Sequence, residues 1–330
     1  MAGFTEEHVE QWRTEGWVLI PELVPAEAID AALDDMWRVL PTPEEFHAGE
    51  GGSRQDAFLG GTDQRRLFSE HDRPDEDGPA FRNEQFLGQA MFPFPGSNRL
   101  NRLIVHPNMV GFAEAAIAST DLLIYQMSIW AKYTGVANYE QPHHQDHNHS
   151  VVPPRTEPNY WFMEGFLYLS DVDEDVAPTH AVRVSDSGGG MEVGVRTPEQ
   201  APELYAAEHS AAGPRGSYLA YRPDVWHRGV NLEREGGARF LYGISFKQAN
   251  QDWVGYTNVQ PRATTPRFVR FVESCTPREL ALFGVPLPGH AYWDEPTIDA
   301  MAARYPGLDI EPWRAGLGSG PTGSGSPGCR

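Results

Sequence analysis

The sequence predicts a mainly β protein, a β-sandwich or jelly roll backed by helices. Three observations carry that reading. Apolar residues recur at helical spacing through about residues 1–120. From Leu122 onward the pattern changes to apolar, β-prone runs. Turn signals separate those runs, at Thr134-Gly135, Asp171 to Asp175, Asp186 to Gly190 and Gly236-Gly237.

Phe4 to Gly16 reads as a helix: Thr5 is a candidate N-cap, Val9 and Trp12 share a face, and Gly16 ends it. Trp17 to Ile20 is a short strand closed by Pro21. Pro25 to Leu40 is amphipathic, with Ile29, Leu33, Met36, Trp37 and Leu40 on one side, and Pro41 and Pro43 stop it. Pro43 to Pro79 is polar and carries Gly49, Gly51, Gly52, Gly60 and Gly61. It reads as a long irregular connection, either a mobile cover over a site or a solvated insertion. Arg82 to Leu87 and Asn98 to His106 read as short helical pieces, and Pro107 to Ser119 as a helix.

The expected strands are Leu122 to Tyr133, Trp161 to Leu169, Ala181 to Ser185, Ser217 to Tyr221 and Arg239 to Phe246. Beyond Gln251 the chain is rich in prolines and aromatics, with helical patterns at Pro277 to Phe283 and Thr297 to Tyr305. The organisation expected is one domain over 1–315: a helical part to about 120, a jelly-roll core to about 250 and a helical extension to 315. The low-complexity tail 316–330 is expected to be disordered.

Composition narrows the function classes. The formal net charge is −20, which argues against nucleic acid as a partner. No run of about 18 apolar residues is present, so no membrane span is expected. Two cysteines, Cys275 and Cys329, make no disulfide framework and fit a reducing, cytoplasmic setting. Oligomeric state is not legible.

The densest chemistry lies at Tyr139 to Ser150, where His143, His144, His147 and His149 crowd around Asp146. In an extended segment His144 and Asp146 point one way and Gln145 the other. They supply two members of a 2-His-1-carboxylate facial triad, the donor set of non-heme Fe(II) oxygenases. His227 is the candidate third. A surface loop can carry histidines with no ligand role, so the triplet gains weight only from what lies downstream. Arg239 follows His227 by twelve residues, past Gly236-Gly237; a hairpin would bring it back alongside. Its guanidinium is a fork for a carboxylate. Arg239, Leu241, Gly243 and Ser245 fall on one strand face, so Ser245 is expected to add a hydroxyl to the same anion.

These pieces in this order resemble the phytanoyl-CoA dioxygenase family of Fe(II)- and 2-oxoglutarate-dependent oxygenases. The resemblance runs from about Phe4 to Phe246. It takes in Phe4-Thr-Glu-Glu, Glu15-Gly16-Trp17-Val-Leu, Tyr125-Gln-Met-Ser-Ile-Trp-Ala-Lys132, His144-Gln-Asp146, Gly165-Phe-Leu-Tyr-Leu-Ser-Asp-Val-Asp173 and the block from His227 to Arg239. It implies a double-stranded β-helix of the cupin-like, jelly-roll kind. It further implies His144, Asp146 and His227 as iron ligands, and Arg239 with Ser245 on the distal carboxylate of 2-oxoglutarate. Lys132 and Gln126 match positions that in relatives face cofactor or substrate. Two departures stand out. Val176-Ala-Pro-Thr179 and Val182-Arg-Val-Ser185 replace the glycine-rich turn and Pro-Gly-Ser-His of many relatives, which leaves the substrate open. Leu241 stands where oxygenases often place a serine two residues after the arginine.

The expected activity is hydroxylation of an unactivated C–H bond in a small organic molecule or natural product. Fe(II), 2-oxoglutarate and O2 would be needed, ascorbate would support activity, and succinate and CO2 would be released. Asp146 argues against halogenation, which needs Gly or Ala there. The alternative is a non-catalytic, metal-binding jelly-roll protein. A zinc hydrolase would leave Arg239 and Ser245 without an anion. His143, His147 and His149 are read as rim or supporting residues, Trp161 and Trp226 as core, and Asn231 as a brace for its loop.

Overall fold

Helix α1 (Glu6–Glu15) starts where Thr5 accepts from the His8 amide and ends at Gly16, whose φ of 87° is the left-handed conformation expected of a C-cap. The computed structural model describes residues 3–52, 54, 89–135, 140–146, 157–192, 194–251, 254–255 and 266–317. They form two units, Met1–Asn258 and Val259–Arg330.

In the first unit α1 leads into β1 (Trp17–Ile20), α2 (Ala26–Met36) and α3 (Pro43–Ala48). Helix α3 corrects the irregular reading of the chain after Pro43. Thr42 and Glu45 cap each other, Pro43 occupies the first turn, and buried Phe46 stacks on Tyr133 with ring centroids 4.1 Å apart. Residues 53 and 55–79 of the expected cover, the expected piece at Arg82 to Leu87, His147, His149 and the tail from 318 lie outside the described residues. Next come β2 (Gln89–Met91), α4 (Arg99–Arg102) with a short 3-10 turn to Val105, α5 (Pro107–Ile117) and β3 (Leu122–Tyr133). The rest of the unit is β4 (Glu164–Tyr168), β5 (Thr179–Val182), α6 (Pro202–Ala207), β6 (Glu208–Ser210), β7 (Tyr218–Tyr221), β8 (His227–Gly229) and β9 (Ala238–Gln248).

Among the described residues the strands make a six-stranded sheet, β1-β7-β4-β9-β3-β2, and a three-stranded sheet, β6-β5-β8. All the named pairings are antiparallel, and an isolated bridge from His144 to His227 extends the small sheet by one segment. Trp130, Leu241, Tyr168, Leu219 and Tyr221 of the large sheet pack in one cluster with Ala181 of the small sheet. That contact identifies the inner face of each sheet, and the fold is a jelly roll with flanking helices.

This topology corrects the expected hairpin. His227 lies in the small sheet and Arg239 in the large one, so the Gly236-Gly237 turn carries the chain from one sheet to the other. The short strands β2, β6 and β8 carry too few residues to show a period.

The second unit contains α7 (Pro266–Glu273), α8 (Pro277–Ala281), α9 (Glu295–Arg304) and α10 (Glu311–Gly316). Helix α7 was not expected, although Phe268, Phe271 and Val272 are spaced to share a face and are buried. The indole N–H groups of Trp293 and Trp313 both donate to the Pro286 carbonyl, at 3.0 and 3.1 Å. No helix among the described residues is long and apolar enough to cross a membrane.

Candidate metal centre

His144 and His227 face each other across an antiparallel bridge, with His144 N–H to His227 O and His227 N–H to His144 O both at 3.0 Å. Each ring is fixed in the same way. His144 Nδ1 lies 3.0 Å from the Pro142 carbonyl, and His227 Nδ1 lies 3.1 Å from the Val225 carbonyl. A carbonyl only accepts, so each Nδ1 carries the proton and each Nε2 keeps its lone pair in the neutral ring. Asp146 supplies the third donor: its Oδ1 is 3.9 Å from His144 Nε2 and its Oδ2 is 3.3 Å from His227 Nε2.

One donor atom from each of the three residues lies within 4.8 Å of the others, the spacing a single cation needs. Side-chain exposure runs 22% for His144, 16% for Asp146 and 6% for His227, so the cluster opens on the His144–Asp146 side. Burial, reinforced by the neighbouring His227, pushes His144 down to about 4, which keeps it neutral near pH 7. Burial also disfavours charge on His227, but the Asp146 charge and hydrogen bond outweigh it, and its net shift is upward. A divalent cation bound to Nε2 would compete with a proton there. Donor identity and spacing both fit a 2-His-1-carboxylate ion such as Fe(II).

Two neighbours hold the carboxylate and its strand. The Tyr221 hydroxyl donates to Asp146 Oδ2 at 2.8 Å, and its ring packs on His227 at 4.5 Å. Gln145 points away from the cluster, as strand alternation requires; its amide donates to the Gly190 and Asp224 carbonyls and accepts from Glu192 N–H.

On the inner face of the large sheet, Tyr221, Glu164, Ser245 and Gln126 are cross-strand partners in one row. A bulge at Tyr125 interrupts the alternation, and its hydroxyl donates to Glu164 Oε1. Ser245 Oγ is 3.0 Å from Glu164 Oε2 and 2.6 Å from the Gln126 amide. Ser245 donates to Gln126 Oε1 in the shorter of these contacts and accepts from the Gly165 amide. Sequence reasoning missed Glu164 and Tyr221, whose only signal was a place on a predicted strand face.

Arg239 and Lys132 are cross-strand partners further along the same face. Both are buried; Lys132 Nζ donates to the Val230 carbonyl at 2.7 Å, and Arg239 donates to the Ala177 carbonyl. Burial, then the Arg239 charge, holds Lys132 well below the ordinary lysine value. Ser245 does not join them. Six residues of strand separate it from Arg239, about 20 Å at the usual rise, so the two cannot grip one carboxylate. The expected Arg239–Ser245 pair is corrected to a neighbouring Arg239–Lys132 pair.

The other expectations divide. His143 is fully buried, which excludes the rim and leaves the supporting role of the two expected for it. Trp161 packs on Trp12 and Trp226 with Val182 and Leu204, so both are core. Asn231 reaches the Glu140 side chain at 3.4 Å rather than its loop backbone.

No curated protein matches the sequence significantly. Among solved structures, the epimerase SnoN in complex with Fe3+, α-ketoglutarate and nogalamycin RO is 13% identical, with 74% of this chain and 83% of that chain covered and a TM-score of 0.48. The non-heme α-ketoglutarate-dependent carbocyclase SnoK of nogalamycin biosynthesis is 14% identical over 80% of this chain and 92% of that one, at a TM-score of 0.47. EvdMO1 is 12% identical over 74% and 50%, at 0.50. At 12% identity the likeness to EvdMO1 is one of fold alone. The sequence model for phytanoyl-CoA dioxygenase (PhyH) matches residues 12–231. That span is two thirds of the 330 residues, and the chain belongs to the phytanoyl-CoA dioxygenase family.

Proposed function

We propose that the protein is a non-heme Fe(II)- and 2-oxoglutarate-dependent dioxygenase that hydroxylates a C–H bond of a small organic molecule. The carrying observation is the convergence of His144, Asp146 and His227 from two segments, with donor atoms within 4.8 Å, inside a jelly roll of this family. These three residues would hold the iron. Iron bound there supplies the oxidative chemistry, consuming O2 and 2-oxoglutarate and releasing succinate and CO2.

The chain's own residues do the rest. Arg239 places a guanidinium, and Lys132 an amine beside it, on one inner face, where they bind the distal carboxylate of the cosubstrate. Tyr221 fixes the Asp146 carboxylate, and the two backbone carbonyls fix the imidazole tautomers. The apolar walls contributed by Trp130, Leu241 and Tyr168 exclude water between the sheets. Asp146 supplies the carboxylate that a halogenating site lacks.

The test is succinate formation from 2-oxoglutarate by the purified protein with ferrous iron, ascorbate and O2, alone and with panels of small molecules. Succinate dependent on iron and stimulated by one substrate class supports the reading. Stoichiometric metal binding with no succinate under any condition replaces it with a non-catalytic binding role. The corrected position of Ser245 gives a second expectation. Ser245→Ala leaves the KM for 2-oxoglutarate within about twofold of wild type and lowers stability by about 1–3 kcal/mol, because buried Glu164 and Gln126 each lose a partner. Cosubstrate titration and urea denaturation check the two halves.

A further inference from the structure

The metal cluster has a second face behind it. His144, His227 and Ala181 are partners across three neighbouring segments, and the cluster uses their inner side. One residue along each strand, side chains point the other way. His180 is the strand partner of Arg228, and His143, one residue before His144 in an antiparallel bridge, falls opposite Arg228 on its other side. The outer row is therefore His143, Arg228, His180, directly behind the His144–His227 pair.

Glu208, the first residue of β6, lays its carboxylate across all three. Oε2 accepts from His143 Nε2 and from Arg228 Nε, both at 2.8 Å. Oε1 accepts from His180 Nδ1 and from Arg228 Nη2, both at 2.8 Å. Four donors fill the four lone-pair sites of one carboxylate, and the Arg228 fork is bidentate. Burial alone would raise the Glu208 carboxyl, but the hydrogen bonds from Arg228, His143 and His180 hold it far below the usual carboxylate range. Around it, the Arg228 guanidinium lies 5.0 Å from the Tyr205 ring centroid, and Tyr205 meets His143 edge-on at 4.6 Å.

This cage matters because the backbone ladder at the centre is short. Among the described residues the His144 segment meets β8 through one bridge, the Gln141 amide and side chain on Gly229, both at 2.8 Å, and an ion pair from Glu140, more than half exposed, to Arg228 at 2.7 Å. One bridge, one further main-chain bond and a solvent-exposed ion pair leave the separation of His144 and His227 weakly set. A salt-bridged carboxylate gripping the residue next to each of them sets it from behind. The groups are 0% (His143), 13% (Glu208) and 10% (Arg228) exposed, so solvent and salt screen the grip little.

We infer that Glu208 is a positioning residue for the metal centre: by holding His143 and Arg228 on the outer face, it fixes the spacing of His144 and His227 on the inner face. The inference rests on reading His144, Asp146 and His227 as the metal site. Glu208 touches no donor atom of that site; it acts through the strands.

The experiment is a binding titration of the full chain with Co(II), read by calorimetry and by the visible Co(II) spectrum. His144→Ala first tests the site itself and is expected to remove binding. Glu208→Gln keeps the shape but turns an NH2 onto N–H donors. It is expected to weaken Co(II) by up to about 10-fold, the low end of what losing a group bonded directly to a ligand costs, and to change the Co(II) absorption bands. Asp35→Asn is the control for lost stability. Asp35 is a buried carboxylate in α2 that accepts from the amides of Ser97, Arg99 and Leu100, none of which belongs to either sheet. It is expected to lower Tm and leave Co(II) affinity and spectrum unchanged.

If wild type binds one Co(II), His144→Ala loses it, and Glu208→Gln keeps wild-type affinity and spectrum, the positioning role is overturned while the metal site stands. The role also falls if Asp35→Asn, at equal loss of Tm, weakens Co(II) as much. If His144→Ala binds like wild type, the site reading and the role of Glu208 fall together. Should Glu208→Gln not fold, Glu208→Asp keeps the charge but is one methylene too short to span the row. It is expected to weaken Co(II) by several-fold, and wild-type affinity there overturns the proposal.

Discussion

His227→Ala is expected to abolish succinate formation and metal binding while the protein stays folded, and His144→Ala and Asp146→Ala to do the same. Each substitution removes one of three donors that lie within 4.8 Å of one another. Loss of an outer hydrogen-bond partner already costs a metal site about 10–100-fold in affinity, and loss of a ligand itself is expected to exceed that. The structural cost is small by comparison. His227→Ala leaves the Val225 carbonyl short of one donor, worth about 1 kcal/mol, and the strand bridge to His144 is main-chain and survives. Circular dichroism and metal titration on each variant separate the two effects. Near-normal iron binding and succinate production by His227→Ala would show that the donor set is wrongly assigned.

Arg239→Ala is expected to raise the KM for 2-oxoglutarate far more than the KM for the prime substrate. A charge-assisted hydrogen bond is worth about 1.5–3 kcal/mol, so the expected factor is roughly ten to a few hundred. Lys132→Ala is expected to act in the same direction, since Lys132 is the cross-strand partner of Arg239 and equally buried. The comparison that decides is Arg234→Ala. Arg234 lies on the same turn but is exposed and already paired with Asp173 and Asp175 at 2.7 Å, so its removal leaves the cosubstrate constant unchanged. An unchanged constant in Arg239→Ala with a raised one in Arg234→Ala would reverse the assignment.

Local order determined much of this protein in advance. Thr5 and Gly16 bound α1 because capping chemistry acts within one turn, and the β-prone runs at Leu122 to Tyr133 and Arg239 to Phe246 became the long strands β3 and β9. Alternation along an extended segment put His144 and Asp146 on one side and Gln145 on the other, and that is where they stand. Helix α3 was missed although Thr42, Pro43 and Glu45 spell its start, because the glycines that follow dominated the reading.

The tertiary structure alone decided which faces meet. Spacing suggested a hairpin between His227 and Arg239, but a turn between glycines can carry the chain to a second sheet as readily as back along the first. A shared strand face suggested that Ser245 helps Arg239, yet alternation says only that two side chains point the same way. Register and rise leave them about 20 Å apart, and the register sets Lys132 opposite Arg239 and Ser245 opposite Gln126. Glu208 carried no local signal. It came to lie behind His144 and His227 because β6, β5, β8 and the His144 segment pair in that order. Pairing between distant strands follows from burying all their apolar faces at once, a condition on the whole chain that no short stretch of sequence contains.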